Sequence, residues 1–304
     1  MPTVCRYRRV PCAPRYVSTN SDSDGLDELA AEPHELAGDA GAHTEPMCGR
    51  YVNVASTDDL VDEFDVEETP DEELPVSWNV APTDPVPVVM RRHPTGDRDA
   101  RPVRQLRTVQ WGLVPSWSKS RTGGARMINA RSETVASKPA FRTAAARRRC
   151  LAPSLGYYEW KHDGGRKIPY FLHDPDDRTL AMAGLYEIWR DDTLPDDDPN
   201  RWLWTCTIIT RPATDLLGAI HDRCPVLVPP ELREQWLDCE VADPLVAQRL
   251  LDTMPEPHLE PRPVSKAVGN VKNNGPELIE AVDDDHDDVL PLALEDMTAR
   301  ETRP

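Results

Sequence analysis

No stretch of this chain is long and apolar enough to cross a membrane, and the first thirty residues lack the apolar segment of a secretory signal. Seven cysteines, Cys5, Cys12, Cys48, Cys150, Cys206, Cys224 and Cys239, form no Cys-x-x-Cys pair and are odd in number. That pattern argues against a disulfide framework and against a zinc site. There is no glycine-rich phosphate loop, no regular alternation of strands with helices and no internal repeat, which disfavours a doubly wound nucleotide-binding fold. These absences point to a reducing cytoplasm, with most cysteines serving as small buried apolar residues, and the chemistry read below is expected to need no metal or organic cofactor.

Positive charge is also scarce: 35 Lys and Arg face 53 Asp and Glu, a formal net charge of -18. The deficit is concentrated at the ends. Residues 1–46 hold four basic and eight acidic residues, and 281–304 hold two and eight, so the middle carries -8. Within that middle, residues 119–149 contain Lys119, Arg121, Arg126, Arg131, Lys138, Arg142, Arg147, Arg148 and Arg149 against the single acid Glu133. One basic face in an acidic protein suits an anionic ligand, with the rest of the surface acidified as in a salt-rich cytoplasm. A solvated basic helix explains the window equally well from charge alone.

Residues 17–46 are rich in Ser, Asp, Ala, Gly and Glu and hold too few large apolar side chains for a core; the "DDDHDD" tail from residue 282 is similar. Both ends are expected to be disordered, leaving one domain at 47–281. Inside it, "CGRYVNV", "VPVVMRRH", "VRQLRTVQWGLV", "LGYYEWKH", "KIPYFLHD", "LAMAGLYEIW" and "WLWTCTIIT" predict strands. Short helices are predicted in "STDDLVDEF", "SKPAFRTAAARRR", "ATDLLGAI", "PPELREQWLD" and "DPLVAQRLLDT", several marked by a capping Ser or an early Pro. The expected fold class is α+β, built around a twisted, mainly antiparallel sheet or open barrel.

Chemistry centres on "MCGRY". As an internal residue Cys48 reads as packing. If translation starts at Met47, or the preceding segment is cut away, Cys48 instead presents an α-amine and a thiol on one carbon. Both groups are nucleophilic in useful fractions near neutral pH, and the partner they suit is an aldehyde. The amine forms an imine and the thiol closes onto the imine carbon as a five-membered thiazolidine. Loss of water on the way to the imine benefits from a positioned carboxylic acid. Glu159, between Tyr158 and Trp160 in an apolar strand, would have its charged form disfavoured there, although a solvent-facing Glu fits the same alternation. His221, before an apolar run, can shuttle a proton or bridge backbone groups. Asn129 and Arg131 are two apart, so an extended backbone puts them on one face, where one could hold a reacting centre and the other a phosphate; a polar turn is the alternative. Trp78, Trp111 and Trp117 offer faces for stacking bases, with core packing the ordinary role of the first two.

In this order, "MCGRY", "NVAP", "WGLVPSW", "INARSET", "YYEW", "HDRCPVLV" and "VSKAVGNVKNNGPEL" resemble the SOS response-associated peptidase (SRAP) family across residues 47 to about 280. The resemblance implies a monomeric sensor that cross-links itself to abasic sites in single-stranded DNA. It places the thiazolidine on Cys48, sugar positioning on Asn129, acid–base work on Glu159, and ring opening with proton transfer on His221. It also implies phosphate contacts from Arg50, Arg131 and Arg223, and a wedge from Pro82 and Trp117. Met47 then becomes the functional start, and 1–46 a mis-called extension or a removable leader. Two other readings stay open: a peptidase using Cys48 with His221, and a non-covalent single-strand binding module.

Overall fold

Ser56 marks the first helix because its hydroxyl takes a backbone N–H that the helix itself leaves unpaired. A computed structural model describes residues 49–282 apart from 95, 96 and 98; the two terminal segments, with Met47 and Cys48, lie outside the described residues. β1 (Arg50–Asn53) leads into α1 (Thr57–Phe64), where Ser56 Oγ accepts the Asp59 N–H at 3.1 Å and the Asp59 carboxylate accepts the Ser56 N–H at 3.2 Å. Leu60 and Phe64, one turn apart, are buried on its inner face.

Three strands follow, β2 (Ser77–Val80), β3 (Pro85–Arg92) and β4 (Val103–Trp111), then the short β5 (Asn129–Arg131) and α2 (Pro139–Arg147). β6 (Arg149–Ser154), β7 (Gly156–Asp163), β8 (Arg166–His173), β9 (Leu180–Arg190) and β10 (Trp202–Pro212) come next. Then come α3 (Asp215–Gly218), β11 (Arg223–Pro225), α4 (Pro230–Leu237), α5 (Pro244–Thr253) and β12 (Glu260–Pro263).

The pairings β10–β4–β3–β6–β9 return to β10, so five strands close a barrel in which only the β10–β4 contact is parallel. Alternation along each strand divides the side chains between two cores. Val86, Val88, Met90, Trp111, Cys150 and Cys206 share one, with Tyr51 edge-on to Trp111 at 5.1 Å between ring centroids. Val89, Leu106, Leu151, Leu185 and Ile209 share the other with Phe141, Trp236 and Leu251 of the helices. A second sheet, β12-β8-β7-β1-β2, is antiparallel throughout. The expected α+β class with a mainly antiparallel sheet is what forms.

Two features of this frame position side chains singled out in the sequence. β10 outlasts the barrel: its Ile208–Thr210 stretch pairs with β5 and its Thr210–Pro212 stretch with β11, so Asn129, Arg131 and Arg223 gather at one strand end. Gly112, at φ 128°, lies so close to the turn at Gly124 that a Cβ would sit 2.7 Å from the Gly124 carbonyl oxygen. This contact seats the loop carrying Trp117, which Trp189 also holds through its indole N–H to the Ser118 carbonyl at 2.7 Å.

Candidate active site

Polar side chains of the second sheet's inner strands β1, β7 and β8 converge on one cavity. A cavity of about 410 Å³ is lined by Gly49, Arg50, Pro82, Glu159, Trp160, His162, Lys167, His221 and Gly269. Four residues singled out from sequence therefore share one cleft: Arg50, Pro82, Glu159 and His221. Cys48 lies outside the described residues, but its peptide-bonded neighbour Gly49 is in the lining.

Register explains the convergence. β1 pairs with β7 through Arg50 opposite Tyr158, which brings the start of β1 alongside Glu159. Glu159 is 4% exposed, so its side chain is largely stripped of water. Arg50 is anchored by Asn79 Oδ1 at 2.9 Å and the Val268 carbonyl at 3.0 Å, and burial pulls its guanidinium below the ordinary arginine range, Asp84 opposing. Asn79 in turn donates through Nδ2 to the carbonyls of Val268, Asn270 and Asn273 at 3.0–3.2 Å. One buried amide thus ties β2 to the "VSKAVGNVKNNG" segment and fixes the cleft floor. On the rim, Pro82 precedes Thr83, whose φ of 75° is unusual for a β-branched residue. The Thr83 N–H bonds the Trp111 carbonyl at 2.9 Å, holding this turn in place.

His221 arrives from the loop after α3 and is partly buried. Its Nδ1 accepts the Arg223 backbone N–H at 3.1 Å, which in the neutral ring leaves the proton on Nε2. Protonation at Nδ1 would instead engage Asp222 Oδ1, also 3.1 Å away.

The remaining candidates among the described residues are not in the cavity lining. Asn129 and Arg131 flank buried Ala130 on β5, the first half-buried and the second exposed, as alternation requires. Trp117 is 68% exposed, whereas Trp111 is core and Trp78 packs partly buried in a third cluster. Arg223 is 7% exposed and bonded through both terminal nitrogens to the Glu133 carboxylate, with the Thr210 carbonyl as a further acceptor. This pairing has a pH signature. The Arg223 hydrogen bond pulls the Glu133 carboxyl down from 4.5 to about 2. Whatever stability the pair contributes is therefore complete above pH 4.5 and disappears as pH falls toward 2. Glu133 is nearly half exposed, so the contribution is modest. Urea midpoints of wild type and Glu133→Gln should differ at neutral pH and converge as acid is added; a constant gap would show that the carboxylate's charge is not what matters.

Of the nine basic residues at 119–149, seven are exposed and make no ion pair among the described residues. Arg148 pairs with Glu187 at 2.8 Å and Arg149 is buried, so these two serve the fold. Trp160, His162, Lys167 and Gly269 line the cavity without having stood out in the sequence. The "HDGGRK" hairpin, which sets His162 opposite Lys167, was the signal available for two of them.

A closed barrel joined to an antiparallel sheet, with a cleft combining a buried carboxyl, a histidine and an anchored arginine, defines an α+β domain equipped for acid–base and anion chemistry. Residues 47–271 match the SOS response associated peptidase (SRAP) family, and the chain belongs to that family. It is similar to the abasic site processing protein YoqW of Bacillus subtilis, 37% identical over 237 residues covering 77% of this chain and 100% of the relative. It is also similar to the abasic site processing protein HMCES of Gallus gallus, at 32% over 227 residues, 67% of this chain and 65% of the relative. A crystal structure of a Bacteroides thetaiotaomicron protein shares the fold with TM-score 0.62 and 24% identity, covering 77% of this chain and 100% of that one.

Proposed function

We propose that this protein senses abasic sites in single-stranded DNA and links itself to them through Cys48, once Met47 and everything before it are removed. The observation that carries the reading is the cleft lining: Gly49, one peptide bond from Cys48, shares it with buried Glu159 and with His221. Relatives named as abasic site processing proteins support the substrate class. The other cysteines argue for Cys48 as the reacting thiol. Burial pushes the Cys224 thiol up to about 11 and Cys206 up to about 12, and raises Cys150 and Cys239, so none of these four is a ready thiolate. Cys5 and Cys12 would leave with the leader.

The ring-opened abasic sugar presents an aldehyde. Attack by the Cys48 amine gives a carbinolamine, whose hydroxyl leaves as water with a proton from Glu159, giving the imine. The thiol sulfur then bonds the imine carbon and its proton passes to nitrogen, closing the thiazolidine with a net loss of one water. His221, with Nε2–H toward the sugar, assists ring opening and the reverse step, and Asn129 positions the sugar. Arg50 and Arg131 hold flanking phosphates, Arg223 does so by exchanging Glu133 for phosphate, and Pro82 with Trp117 wedges the strand at the lesion. If translation begins at Met1, the scheme requires cleavage before Cys48, and self-cleavage is one way to achieve it.

Intact mass of the protein from its native host, alone and mixed with a single-stranded oligonucleotide bearing one abasic site, tests the proposal. A mass starting at Cys48, plus an adduct equal to protein and oligonucleotide less one water, is expected, and Cys48→Ala should give none. A persistent adduct in that variant would sink the scheme. A Cys48 start without any adduct would favour the peptidase, and equal affinity for intact and abasic strands the binding module.

A further inference from the structure

The barrel end remote from the cleft holds a cluster that the proposed reaction does not use. β3 begins at Pro85, near the cleft's Pro82, and runs for eight residues to Arg92, which carries the chain about 24 Å away at the usual rise of a strand. Arg92, from that end, and Arg107, which pairs with Val88 about midway along β3, both reach Trp204, with guanidinium carbons 4.8 Å and 4.3 Å from its ring centroid. Tyr186 stacks on the same indole at 6.0 Å with planes 16° apart. Two residues earlier on β10, Trp202 is 52% exposed.

Among the described residues neither guanidinium takes part in an ion pair or a side-chain hydrogen bond, and Arg107 Nε is buried without a partner. The acids that act on Arg107 do not pair with it. Glu68 and Glu72 act on Arg107 only at longer range, and the Glu68 carboxylate already accepts from Gln105 Nε2 at 2.7 Å. Burial first, and then the Arg92 charge, lower the Arg107 guanidinium below its ordinary range. Stacking on an indole compensates part of each cation's lost hydration but leaves the N–H edges unsatisfied. Two repelling guanidinium groups packed against one indole, with no acid paired to either among the described residues, offer donors that suit the oxygens of a phosphate. An exposed indole alongside gives a base somewhere to stack.

We propose that Arg92, Arg107, Trp202 and Trp204 form a second site, at the barrel end, that binds the phosphate of a nucleotide with its base against Trp202. The nucleotide could be free or part of a single strand running past the barrel, and the two sources separate experimentally. Calorimetric titration of the full chain with inorganic phosphate, deoxyadenosine 5′-monophosphate and an undamaged single-stranded decanucleotide is compared with the same titrations of Arg92→Gln/Arg107→Gln. If free nucleotides are the ligand, the monophosphate binds wild type more tightly than inorganic phosphate does and loses at least tenfold in the double variant. If a strand is the ligand, the decanucleotide shows that tenfold loss while the monophosphate binds both proteins weakly.

Arg92→Lys/Arg107→Lys, which keeps the charges and removes the forks, should fall between the two, and it replaces the glutamine variant if that one fails to fold. Equal affinities in wild type and both variants, or no binding of any probe to wild type, overturns the site. Adduct formation with an abasic strand reports on the Cys48 cleft separately and should survive both double variants.

Discussion

Glu159→Gln should slow adduct formation by a factor of about 10² to 10⁴, the range lost when a positioned general acid is removed. Glutamine preserves the shape of the side chain and can still donate an amide hydrogen bond, but it cannot release a proton to a departing hydroxyl. Loss of water from the carbinolamine then depends on solvent, and a side chain 4% exposed stands where solvent enters poorly. Single-turnover appearance of the denaturant-stable adduct measures the step directly. Affinity for an undamaged strand should be unchanged, because Glu159 contacts the reacting sugar and not the phosphates in this scheme. Glu159→Asp, with the acid retained on a shorter stem, should recover part of the rate. An unchanged rate in Glu159→Gln would remove the carboxyl from the reaction and leave His221 as the proton donor.

Local signals in the sequence were reliable guides where one short stretch decides its own conformation. Ser56 with Asp59, Pro139 and Pro230 each stand at the start of an observed helix, because capping and a preset φ act within one turn. The seven alternating or aromatic runs all became strands. β6, "RCLAPS", escaped notice because it is buried at every position, contains a proline and follows α2 after a single residue, so neither alternation nor a turn announces it. β12, "EPRP", is tolerated as a strand only because it lies at the sheet edge, where missing N–H donors cost little. Closure of the barrel through the parallel β10–β4 contact joins residues about a hundred positions apart and leaves no local trace.

The site divides in the same way. Glu159 and His221 could be picked out by what their side chains do, and Arg50 only through the family resemblance. Their neighbours were a matter of register and loop path. Glu133 was counted merely as the lone acid in a basic window, yet it holds Arg223, and Asn79 was part of a motif with no role until three carbonyls were found on its amide.

Arg149 shows how far charge counting can mislead, and it carries the largest expected effect on stability. In the sequence it is the last residue of the basic window, an apparent surface cation. In the fold it is 2% exposed, and its guanidinium donates from Nε to the Trp236 carbonyl at 2.6 Å, from Nη1 to the Ala145 and Ala146 carbonyls at 2.8 Å and 2.9 Å, and from Nη2 to the Asp238 carbonyl. Those carbonyls belong to the last turns of α2 and α4, so one side chain satisfies acceptors that both helices leave open and places its charge at two negative helix ends. Burial lowers the guanidinium from its usual range without discharging it. Arg149→Met fills similar space but removes every donor, and charge-assisted bonds of this kind contribute about 1.5–3 kcal/mol each, with losses that overlap. The expected destabilisation is on the order of 4 kcal/mol, or roughly 10 °C in Tm for a domain of this size. Exposed Arg147, two residues away, should change stability by no more than about 0.5 kcal/mol when replaced in the same way. Arg149→Lys, with three donors and no planar fork, should regain part of the loss. Equal melting temperatures for Arg147→Met and Arg149→Met would mean that water satisfies those carbonyls as well as the guanidinium does.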